Sequence, residues 1–109
     1  MKRLATVTGL LGVAAMVFAL SSFNRTFNET YKVGASSKLG KAACMVCHTG
    51  ARGGALNAYG SDVKGAMKKG GVHKVTTDVL KAVEGMDSDK DGMSNVDEIK
   101  KDRNPGVSG

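Results

Sequence analysis

Apolar residues recur along most of this chain at helical spacing, and no segment alternates with the period of two that marks a strand. Ser36 or Ser37 can cap a helix that carries Leu39, Ala42, Ala43 and Val46. Leu56, Tyr59, Val63 and Met67 fall at i, i+3, i+7 and i+11 on one face of a second helix, which Gly60 and Gly65 weaken and Gly70-Gly71 ends. The best-patterned helix runs from Val75 to Met86. Val75, Val79, Leu80, Val83 and Met86 line one side of it, with Thr76, Asp78, Lys81 and Glu84 elsewhere. Ser94 or Asn95 caps a last short helix through Val96 and Ile99. Lys100, Lys101 and Arg103 occupy its final turn, where cations suit the helix dipole, and Pro105 and Gly106 stop it. Residues 22–35 are polar and read as a flexible lead-in, and Gly50 to Gly54 as a flexible break. The pattern predicts an all-α domain over residues 36–109.

The first 21 residues have a different character. Lys2 and Arg3 precede an uncharged apolar run, Leu4 to Leu20, and small residues follow at Val17-x-Ala19 and Ala19-x-Ser21. This is the layout of a secretory signal peptide over 1–21, with an uncleaved anchor as the alternative. It predicts a periplasmic or secreted protein.

Cleavage would leave about 85 to 90 residues, one small domain. Aromatic residues make up 5% of the chain and tryptophan is absent, so little apolar bulk is available for a core. Domains this small need a staple such as a buried cofactor or metal. The net charge is +6, and removing Lys2 and Arg3 lowers it by two, to +4. The basic residues are dispersed, with neither the clustering nor the aromatic interleaving of a nucleic-acid surface. They read as a solvated face, or as a lysine rim that steers an acidic redox partner.

The two cysteines of the chain stand in one pentad, Cys44-Met45-Val46-Cys47-His48. C-x-x-C-H is the attachment signature of haem c: two thiols three residues apart can add to the two vinyl groups of one porphyrin, and the adjacent imidazole can bind iron. Other readings are a redox dithiol, which wants a βαβ context, and a zinc site using His48 and His73, which wants a matched second ligand pair. No Ser-His-Asp or paired-carboxylate arrangement points to an enzyme.

A second constellation spans residues 87–98. Asp87, Asp89 and Asp91 at positions 1, 3 and 5, Gly92 at 6, and Glu98 at 12 fit D-x-[DN]-x-[DN]-G-x5-E, the oxygen-donor spacing of a calcium loop. The Met93 backbone carbonyl at position 7 and Asn95 at position 9 complete the expected ligand set. Position 8, aliphatic in a paired EF-hand, is Ser94. The loop looks closer to the single calcium loops of dockerin-like or thrombospondin type 3-like repeats. The alternative is an acidic capping loop without metal.

The pentad with its following short helices resembles a small exported bacterial monohaem cytochrome c domain. Leu56-Asn57-Ala58-Tyr59-Gly60, the acidic loop and Asn104-Pro105-Gly106 look like a variant with a calcium loop built into its C-terminal part. The resemblance covers about residues 36–106. It implies a helical domain wrapped around one haem c, held by Cys44 and Cys47 with His48 as the proximal iron ligand, and a role in electron transfer. For the distal ligand it leaves Met86 and His73, then Met67 and Met93. Runner-up functions are a haem-based ligand sensor or peroxide-handling protein with an open distal side, and a calcium-dependent interaction module. Because Met86 directly precedes Asp87, loop closure is expected to fix that end of the helix. Calcium should then stabilise the fold, and tune the haem if Met86 ligates iron.

Overall fold

A computed structural model describes residues 22–108. Residues 1–21, expected to be a signal peptide, lie outside the described residues. Residues 22–31 form helix α1, where a flexible lead-in was expected. What the polar composition hid is an aromatic anchor. Phe27 is buried, with its ring 5.2 Å from that of Tyr31 and 6.1 Å from that of Tyr59. The first pair is tilted and the second edge-on, and aromatic pairs of this kind contribute beyond their buried area.

Helix α2, Lys38–Ala42, starts at Ser37, whose hydroxyl accepts from the Gly40 N–H, and runs into a 3-10 helix, Ala43–Val46. The expectation of an all-α domain is then overturned by two antiparallel strands, β1 His48–Gly50 and β2 Gly53–Leu56. His48 pairs with Leu56 and Gly50 with Gly53, so Gly54 and Ala55 together oppose Thr49 in a bulge. Gly53 and Gly54 hold φ of +111° and +87°, a region glycine enters freely. The glycines that looked like a break therefore build the turn and bulge of a hairpin, on strands too short to show alternation.

Helix α3, Ala58–Lys69, follows, and α4 is confined to Thr77–Ala82 rather than Val75 to Met86. Thr76 caps α4 through its hydroxyl and fixes its start. Its far end stops because Asn95 Nδ2 takes the Val83 carbonyl and the Val96 N–H takes that of Glu84. The acidic loop leads into α5, Asn95–Lys100, capped by Ser94. Phe27, Leu39, Val46, Tyr59, Val63, Val79, Leu80, Val83 and Ile99 form one buried cluster drawing on every helix. No helix among the described residues is long and apolar enough to cross a membrane.

Candidate functional site

The pentad lies on the 3-10 helix and the first residue of β1, and its backbone is held by three asparagines. Asn24 of α1 donates Nδ2 to the Ala43 carbonyl at 3.0 Å. Asn57 donates Nδ2 to the carbonyls of Met45, at 3.1 Å, and Val46, at 2.9 Å, while its N–H donates to that of Cys47 at 2.8 Å. Asn104 donates Nδ2 to the Met45 carbonyl at 2.9 Å. With Cys47 N–H donating to Cys44, every carbonyl from Ala43 to Cys47 has a partner. Gly60 brings α3 so close that a Cβ there would collide with the Cys47 carbonyl.

Both thiols are free and half-buried. Burial, reinforced by the neighbouring Cys44, pushes the Cys47 thiol up to about 11. The His48 ring has a fixed tautomer. Its Nδ1 lies 2.9 Å from the Gly54 carbonyl, which can only accept, so Nδ1 carries the hydrogen and the Nε2 lone pair is left for another partner. The bulge in β2 is what aims that carbonyl. The Tyr59 hydroxyl is buried without a hydrogen-bond partner. Desolvation foremost, with the charges of Tyr31 and Cys47, raises it far above an ordinary phenol. Two reduced thiols, an imidazole with one free nitrogen and an unpartnered buried hydroxyl form a donor set that fits a covalent haem.

The four distal candidates are spread out. Met67 packs partly against the core from α3, and His73 is exposed in the α3–α4 connection. Met86 is 44% exposed and lines a groove of about 730 Å3 between α3 and α4, whose walls include none of the pentad. Met93 lies in the acidic loop, its N–H held by Asp91.

That loop has the expected turn. Asp87 accepts from the N–H groups of Asp91, at 3.2 Å, and Gly92, at 2.9 Å, and Gly92 takes φ +92°. Asp87, Asp89, Asp91 and Glu98 each bring a carboxylate oxygen within 4.8 Å of the others. Glu98 is 1% exposed, and neither of its oxygens meets a hydrogen-bond donor, nor does Asp89 Oδ2. Desolvation first, then Asp89 and Asp91, pushes the Glu98 carboxyl up to about 8. Burying Glu98 against converging carboxylates is costly, the Arg103 charge offsets it only in part, and a hard divalent cation is the partner that offsets the rest. Asn95 is not among the residues so placed. Its side chain turns inward, Oδ1 accepting from Ser88 N–H and Nδ2 donating to Val83 O and Ser88 Oγ. Its own N–H donates to Met86 O at 2.7 Å, which pins Met86 across the base of the loop.

Sequence reading singled out the thiols, the imidazole and the carboxylates, and missed Asn24, Asn57 and Asn104 as supports of the pentad. Asn57 and Asn104 stood inside two of the segments carrying the family resemblance; Asn24 had no such signal. No family model, curated protein or solved structure matches the chain.

Proposed function

We propose that this chain is an exported electron-transfer protein carrying one haem c on Cys44 and Cys47, with His48 as proximal ligand, and a calcium ion in the 87–98 loop as a structural clip. The observation that carries the reading is the anchored imidazole: His48 stands next to the thiol pair with Nδ1 committed to Gly54 and Nε2 open. Each thiol adds its sulfur and its hydrogen across one vinyl group, so two thioethers form without net oxidation. The high pKa of Cys47 keeps that thiol protonated and resistant to premature disulfide formation. When bound, the haem supplies a one-electron ferric–ferrous couple. The residues of this chain bind it, fix the imidazole tautomer and steer partners; dispersed lysines, among them Lys64, Lys68, Lys69 and Lys74, favour acidic ones.

The test is expression of the full chain with the haem-ligation machinery present. A Soret band that survives denaturation and acid-acetone extraction is expected, and it should be lost in Cys44→Ser/Cys47→Ser. A chain that stays colourless in that host sinks the reading.

A second reading, a haem with an open sixth position that binds small ligands, is favoured by the placement of Met86 on a separate groove and of His73 in solvent. Rapid carbon monoxide binding by the reduced protein would select it over electron shuttling.

A further inference from the structure

The acidic loop and the pentad are joined by the segment that leaves α5. The Glu98 carbonyl accepts from the Lys101 and Arg103 N–H groups, at 3.0 and 2.9 Å, so the residue that closes the loop also fixes the start of this strap. Asp102 then accepts from the N–H groups of Lys38, at 2.8 Å, and Leu39, at 2.9 Å, the first turn of the helix that leads into the pentad. Asn104 donates to Met45 between the two cysteines, and its Oδ1 takes the Gly106 N–H at 2.9 Å. Gly106 lies against the Asn57 side-chain amide with no room for a Cβ. Ser108 returns to the loop, donating to the Asp89 carbonyl at 2.7 Å. The strap thus begins at the backbone carbonyl of one loop residue, Glu98, crosses the pentad, and ends at the carbonyl of another, Asp89.

We propose that Asn104 and Asn57 are positioning residues for the Cys44–Cys47 pair, and that a divalent cation in the 87–98 loop sets their hold through this strap. The inference rests on reading the pentad as a haem-attachment site and the loop as a cation site. Without a cation, the buried Glu98 carboxyl faces the other loop carboxylates with no hydrogen-bond donor on either oxygen, which opposes closure of the loop. With a cation, Glu98 is drawn in, α5 and the strap are fixed, and Asn104 holds the Met45 carbonyl. The thiols are then presented in one geometry. Coupling of this kind needs a two-state element that both sites bias, and the strap is that element.

The full chain, expressed without ligation machinery and kept reduced, is alkylated with iodoacetamide in calcium or in chelator, and each cysteine is followed by mass spectrometry. Calcium should slow Cys47 modification by about fivefold or more, the worth of one well-made hydrogen bond. Asn104→Asp keeps an acceptor for Gly106 and replaces the donor to Met45 with a carboxylate oxygen that cannot hold that carbonyl. It should bring the calcium-to-chelator ratio within about twofold of unity, while still taking up one calcium per chain by titration. That uptake shows the variant is folded. A ratio that Asn104→Asp leaves unchanged, or wild-type chain that takes up calcium with no effect on Cys47, overturns the proposal. The thiol readout is independent of haem. A protected Cys47 in a chain that never gains a Soret band supports the coupling and sinks only the haem reading. An unprotected one in a chain that does gain it sinks only the coupling.

Discussion

Asn57 does three jobs with one side chain and one amide. Its Oδ1 accepts the Gly60 N–H and caps α3, its Nδ2 serves Met45 and Val46, and its backbone N–H serves Cys47. Asn57→Ala removes the cap and leaves the buried Val46 carbonyl without a partner, so a loss of about 2–3 kcal/mol in a denaturant melt is expected. Asn24→Ala, which frees the part-buried Ala43 carbonyl and the Asn28 amide that donates to Asn24 Oδ1, should cost about 1 kcal/mol. Gly60→Ala tests the same contact by overpacking, with an expected loss of about 1–3 kcal/mol and poorer haem attachment. Cys47 offers a chemical check. With its thiol near 11, its alkylation should rise about tenfold per pH unit between pH 7 and 10, because the thiolate is the reacting form. A profile that levels off at about pH 8.5 would show that Cys47 is solvated. At this scale the reactive groups were legible, because thiols, imidazole and carboxylates carry their chemistry in their identity and spacing. The asparagines were not. An amide reveals its role only through what it meets, and Asn104 meets Met45 across 59 positions of sequence.

The elements were legible where one residue punctuates the chain. Ser37 and Ser94 cap α2 and α5 with their hydroxyls and Gly70 ends α3, whereas Thr76, the cap of α4, read as a residue inside its helix. Local chemistry of this kind survives into the fold. The hairpin was not legible, because three- and four-residue strands have no room to alternate and their glycines mimic a linker. The far end of α4 was decided by Asn95, which claims the Val83 carbonyl from twelve residues away. The hairpin also earns a prediction of its own. Gly54→Ala puts a side chain at φ +87° and strains the bulge that aims its carbonyl at His48. A stability loss of about 1 kcal/mol is expected. In the haem-loaded protein the midpoint potential should rise, because an imidazole without its carbonyl partner is a weaker donor. Gly65→Ala, in the exposed middle of α3 with open space around a Cβ, is the control, and should stabilise by about 0.5–1 kcal/mol. An unchanged potential in Gly54→Ala would show that the Gly54 contact does not tune the ligand.

Over the whole molecule, one buried carboxylate joins the acidic loop to the core. Glu98 sits beside Ile99, which packs in the cluster with Leu39 and Tyr59, while its own oxygens have no donor. Loop closure and core packing therefore form one cooperative step, and the cation supplies the charge that closure lacks. Calcium should raise the melting temperature of the full chain well beyond what surface screening gives, and excess chelator should reverse the rise. Glu98→Gln separates this from a general salt effect because its two consequences have opposite sign. In chelator the variant should melt higher than the parent by about 5 °C, roughly 1 kcal/mol for a domain of this size, since a carboxyl that burial, Asp89 and Asp91 keep from ionising is replaced by a neutral amide. In calcium it should melt lower than the parent, since the twelfth ligand is gone. The two melting curves should thus change order when calcium is added. Curves that keep their order would mean that Glu98 is an ordinary buried carboxyl, and that the loop closes without a cation.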